Sequence, residues 1–229
     1  MMTTTRDNAR ESRIPDAAGG DYERLSAPEL VTASTGAIAD PGPLGLAAFA
    51  MTTFVLSCFN AGLIKGAALE AVVLPLALFY GGTAQLLAGM WEFKKANTFG
   101  ALAFTSFGAF WLSFAALVKF VVPGIVADKA LAPQLPHALG LFLLGWAIFT
   151  VYMTVAAIRV SGIVFAVFAV LSLTFIALSI GNFGSMTGIV HLGGYLGLAT
   201  AALAWYGSFA GVTNATFGRT VLPVMPARK

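Results

Sequence analysis

Between residues 44 and 209 the chain is a series of apolar runs of membrane length, each ended by a short polar break. A helix needs about 20 apolar residues to cross a hydrocarbon core about 30 Å thick. Six runs meet that length: Leu44–Ile64, Ala71–Trp91, Phe99–Val122, Ala138–Ile158, Gly162–Ile180 and Ile189–Phe209. The fourth and fifth are parted only by Arg159-Val160-Ser161, but together they exceed 40 residues, too many for one crossing. Composition agrees: 10% of the residues are charged and 58% are hydrophobic, where a soluble domain carries about 25% charged residues. The sequence therefore predicts an all-α integral membrane protein with six transmembrane helices in a lipid bilayer.

The charges divide the chain. Residues 1–43 hold Arg6, Arg10, Arg13 and Arg24 against seven acidic residues, net −3; residues 44–229 are net +6. Residues 1–39 are polar and broken by Pro15, Pro28 and Gly19-Gly20, and read as a disordered tail without the apolar segment of a signal peptide. Residues 40–215 read as the six-helix transmembrane domain, and 216–229 as a C-terminal tail. Ten of the 13 basic residues fall in the two tails and in the loops holding Lys94, Lys95 and Arg159. Lys65, Lys119 and Lys129 lie opposite, so the positive-inside rule puts both termini in the cytoplasm of a multi-pass protein of the cytoplasmic membrane. The basic residues form no stripe, which argues against nucleic-acid binding. No catalytic constellation, metal cluster or cofactor motif is present; the single Cys58 and the two histidines make none. An enzyme is not expected.

The polar residues inside the spans follow helical spacing. Gly81, Gln85, Ala88 and Glu92 share one face of span 2, as do Phe49, Thr53, Leu56 and Asn60 in span 1, with Thr52 beside them. Phe107, Phe110, Trp111 and Phe114 form an aromatic stripe in span 3. With Thr105, Ser106, Ser172 and Thr174, this is enough uncharged polarity for a narrow wet path, and too little to solvate a sugar or a nucleotide. Small solutes remain: short monocarboxylates, urea, ammonia, water. Glu70 and Glu92 flank span 2 and are expected to reach headgroups; Glu92, on the Gln85 face, is also a candidate to face a cavity. Pro75 should kink span 2 and free a backbone carbonyl. Gly62-x-x-x-Gly66, Gly184-x-x-x-Gly188 and Gly193-x-x-x-Gly197 have the spacing of close helix contacts. Pro43-Leu-Gly-Leu46 and Leu139-Gly-Leu141 open spans 1 and 4 alike, the echo expected of a 3+3 inverted repeat.

Several blocks resemble a known family. Asp40-Pro41-Gly42-Pro43-Leu44-Gly45-Leu46 resembles the Asn-Pro-Ala-Pro-Leu-Gly-Leu signature of the acetate uptake transporter family, which includes the bacterial succinate–acetate permeases. Phe79-Tyr-Gly-Gly-Thr-Ala-Gln85, Phe93-Lys-Lys-Ala-Asn-Thr-Phe-Gly100, Phe104-Thr-Ser-Phe-Gly-Ala-Phe-Trp111, Ile180-Gly-Asn182 and Phe217-Gly-Arg-Thr-Val-Leu-Pro223 are similar to its other blocks, in order over residues 40–224. The resemblance implies a six-helix protomer assembled as a homo-hexamer, with a separate path for acetate, succinate or similar carboxylates through each subunit. Channel-like and proton-coupled behaviour are both ascribed to the family. It also implies a constriction at Phe49, Phe107 and Leu171, of which the second is often Tyr in relatives. The signature's first Asn is Asp40 here, which adds negative charge at the entry to span 1. Transport of short carboxylates is the leading expectation. A channel for urea or ammonia, and a membrane scaffold or sensor that moves nothing, are the alternatives.

Overall fold

The computed structural model describes residues 38–226. Of the predicted N-terminal tail, residues 1–37 lie outside the described part.

In hydrocarbon every backbone N–H and C=O must find a partner within the protein, and for a single run of apolar sequence the helix is the solution. Six long apolar helices result: α1 Gly42–Asn60, α2 Val73–Lys94, α3 Thr98–Ala127, α4 Ala132–Ala157, α5 Gly162–Phe183 and α6 Thr187–Phe217. A short turn, Ala67–Glu70, precedes α2. The helices close into a ring in the order α3, α2, α1, α6, α5, α4, with α4 meeting α3 again. The outward faces carry exposed apolar residues such as Phe79, Phe120, Leu141 and Val155, suited to lipid.

Local chemistry sets the helix ends. Pro43 sits in the first turn of α1, where its missing N–H costs nothing. Asp40 Oδ1 accepts from the Gly42 N–H at 3.0 Å. Asn97 and Ser161 act as N-caps of α3 and α5, accepting from the Gly100 and Val164 N–H groups at 3.2 Å each. At its far end α6 stops at Gly218, whose φ of 62° is left-handed.

Several spans differ from their predicted limits. α3 continues through Pro123 to Ala127, past a π-helical turn at Leu117–Val121. Pro75, expected inside span 2, lies in the first turn of α2, where its missing N–H costs nothing, and a π-helical stretch, Leu76–Ala84, follows it. α6 runs on to Phe217, and residues after it fold back: Gly162 N–H donates to Met225 O at 2.7 Å and Tyr206 Oη to Pro223 O at 2.8 Å.

Only one of the three glycine pairs joins helices. Gly193 faces Leu178 of α5 and Gly197 faces Ser57 of α1, so that pair seats α6 between its neighbours. Gly62 and Gly66 lie in the α1–α2 connection with φ of 71° and 127°, serving the turn. Gly184 is the C-cap residue of α5 and Gly188 meets open space. The spacing alone did not reveal that the first two pairs straddle helix ends.

Candidate functional site

Two cavities enter the ring from opposite ends. The larger, about 510 Å³, opens at the end that bears Lys95 and Asn97. The smaller, about 270 Å³, opens at the end that bears Glu70. Phe49 of α1 and Leu171 of α5 line both. Phe107 of α3 lines the larger and touches Phe49, ring centroids 5.6 Å apart. Phe149, Phe168, Trp146 and Phe175 surround Phe107 at 5.4, 6.0, 6.0 and 6.3 Å. Phe49, Phe107 and Leu171 are 3–4% exposed, and Phe49 and Leu171, which line both cavities, stand where the two meet.

The periodic stripes supply the walls. Phe49, Thr53, Leu56 and Asn60 all line the smaller cavity. So do Phe110, Trp111 and Phe114, while Phe107 of the same stripe belongs to the larger. Gln85 and Glu92 of α2 line the larger cavity and are 1% and 2% exposed. Glu92 therefore does not reach the headgroups: it accepts from Asn97 Nδ2 at 2.8 Å on Oε2, because the hairpin between α2 and α3 folds Asn97 over it.

The remaining predicted polar residues are placed elsewhere. Thr52 is fully buried, donates to Ala48 O of its own helix at 3.0 Å and packs against Gly81. Thr105 is pressed against Gly89 in the α2–α3 contact. Ser106 borders neither cavity. Helical spacing could not separate a face turned to a neighbouring helix from one turned to a cavity, since both are buried. In the signature, Asp40 and Pro43 line the larger cavity. Gly45 instead receives the ring of Phe104 against its backbone, and Pro41 O accepts from the Gly45 N–H at 3.0 Å.

Three groups at the larger cavity were not singled out in the sequence. Lys95 Nζ donates to Asp40 Oδ1 at 2.8 Å across its mouth. Asn97 holds Glu92 and caps α3. Asn214 of α6 anchors the returning C-terminal segment: its Oδ1 accepts from Val221 and Leu222 N–H at 2.7 and 2.9 Å, and its Nδ2 donates to Leu222 O at 2.9 Å. An amide near the end of an apolar helix was the available signal for Asn214. The first turns of α1, α3 and α5, through Gly42 and Pro43, Phe99 and Gly100, and Ile163 and Val164, all border this cavity. Their N-terminal dipoles make it favourable to negative charge. At the other mouth, burial pushes the Glu70 carboxyl above the usual carboxylate range.

Residues 23–228 match the model of the GPR1/FUN34/yaaH family. The chain belongs to that family. Its relatives are membrane transporters rather than enzymes, and the described residues of this chain form six helices long and apolar enough to cross a membrane. It is 46% identical to the ammonia transport outward protein 2 of Saccharomyces cerevisiae, over 82% of this chain and 66% of that one. It is 40% identical to the succinate-acetate/proton symporter SatP of Escherichia coli, over 82% of this chain and 95% of that protein. Among solved structures it is similar to the bacterial acetate channel SatP, with a TM-score of 0.74 and 40% identity over 82% of this chain and 99% of that one.

Proposed function

We propose that this protein moves acetate and other short carboxylates, succinate among them, through a central passage in each protomer. The observation that carries this reading is the pair of opposed cavities, parted only by the cluster at Phe49, Phe107 and Leu171. An ion is costly in lipid. Three helix N-termini with Gln85, Asn97 and Asn214 offer a carboxylate dipoles on one side, and Thr53, Ser57, Asn60 and Thr174 offer hydroxyls and an amide on the other. The apolar constriction then strips water and excludes wide solutes.

The sidedness follows from Lys94, Lys95, Arg159 and Arg219, which sit at the end of the larger cavity or in its loops. That end faces the cytoplasm, with both termini, in the plasma membrane. The ring order suits a 3+3 inverted repeat, because exchanging α1 with α4, α2 with α5 and α3 with α6 preserves every neighbour. Protomers assemble as a hexamer in this reading.

Uptake of labelled acetate into proteoliposomes, with and without an inward proton gradient, tests the function. Saturable uptake inhibited by succinate is expected, and acceleration by the gradient identifies proton coupling. Flux of urea or ammonium without acetate flux would instead favour a neutral-solute channel, the activity closest to the yeast relative's name. No flux of any of them would favour a scaffold.

A further inference from the structure

Among the described residues, Lys95 is the one cation lining either cavity. It stands at the mouth of the larger cavity, where an anion entering from that side first meets protein. Its ammonium is already held by a carboxylate of the chain itself, Asp40, at 2.8 Å. The two residues come from different helices, 55 positions apart in sequence, so the pair bridges the start of α1 and the end of α2. Both side chains remain partly exposed, at 32% for Lys95 and 55% for Asp40. A pair this wet is worth only about 0–1 kcal/mol, so it opens readily. Glu92 lies below the pair, buried and held by Asn97.

We propose that Asp40 is a built-in competitor for the incoming substrate: its carboxylate occupies on Lys95 the place of a substrate carboxylate, and thereby sets the affinity and charge preference of the larger cavity's mouth. This deepens the carboxylate-transport reading and rests on it. An arriving anion exchanges with Asp40 on the ammonium, no covalent bond changes, and Asp40 retakes Lys95 once the substrate has passed. The Gly42 N–H, which also donates to Asp40 Oδ1 at 3.0 Å, holds the aspartate nearby for that return. The arrangement favours a monoanion over a dianion, because a second negative charge on the substrate is repelled by the displaced Asp40.

The test is the concentration dependence of labelled acetate and succinate uptake in proteoliposomes, with the substrate supplied to the face bearing Lys95. The proteins are the wild type, Asp40→Asn, Lys95→Gln and the double variant. Asparagine keeps an acceptor for Gly42 and lacks the charge, so the fold is retained; thermal melts of the four proteins check this. Asp40→Asn should lower the half-saturating acetate concentration by about two- to fivefold, the range such a pair permits. The succinate value should fall by more, approaching the square of that factor for a doubly charged ion. Lys95→Gln should raise both, and in its background Asp40→Asn should give a clearly smaller gain for acetate than it gives with Lys95 present. An equal gain with and without Lys95 would show a diffuse charge effect and overturn the proposal, as would no gain in Asp40→Asn on an actively transporting wild type. Absence of acetate uptake by the wild type would instead overturn the transport reading beneath it.

Discussion

Glu70 is the clearest single residue to test, because its charge is out of balance with its place. Burial at the mouth of the smaller cavity raises its carboxyl above the usual range, so the folded state favours the protonated form. Stability from this residue is present at acidic pH and is lost as the pH rises through its raised value. Glu70→Gln should therefore melt at a higher temperature than the wild type near pH 7.5 and at about the same temperature near pH 4, measured in detergent. A higher melting point for the wild type at neutral pH would contradict the burial argument. Residue roles were only partly legible in the sequence. Thr53 and Asn60 could be placed on one helix face because their stripe is periodic, and both line the smaller cavity. Thr105 could not be excluded from it, because the glycine that receives it, Gly89, is on another helix. Lys95 read as a loop cation; its pairing with Asp40 depends on two chain segments that only the folded ring brings together.

At the scale of elements, the six helices were readable from apolar length alone, and their ends were less so. Pro75, read as a kink, sits instead in the first turn of α2, and α3 outruns its expected end at Val122 to reach Ala127. The α2–α3 contact depends on Gly89, whose backbone meets the Thr105 side chain and backbone. A valine there forces those helices apart; overpacking of this kind costs about 1–3 kcal/mol or more, and Gly89→Val should lower the melting temperature by several degrees, with Gly188→Ala, which faces open space, as a neutral control. The returning C-terminal segment was read from sequence as a plain tail. Its hold depends on the three hydrogen bonds of Asn214. Asn214→Ala should release it at a cost of about 1–3 kcal/mol, detected as faster proteolysis beyond Gly218. Unchanged cleavage would mean that the bridge from Ser161 to Pro226 and the Tyr206 bond suffice.

The six described helices form a ring whose two cavities do not connect in this conformation. Its centre is aromatic, its cavities are lined by apolar side chains with a few uncharged polar ones, and the charged groups that line them lie toward the two mouths. Neither the closure of the ring nor the separation of the cavities could be seen in the sequence. Both depend on long-range neighbours, α1 with α6 and α3 with α4, that helical periodicity does not encode. The resemblance in short blocks supplied the expectation of a constriction, and the positions it named lie together. The most direct measurement is uptake of labelled acetate and succinate by Phe107→Ala against the wild type, in proteoliposomes, normalised to folded protein. Removing a buried phenylalanine costs about 3–5 kcal/mol, so a lower melting temperature is expected as well. If Phe107 closes the passage, the variant passes succinate several-fold faster relative to acetate than the wild type does. An unchanged ratio in an actively transporting, folded variant would place the constriction elsewhere.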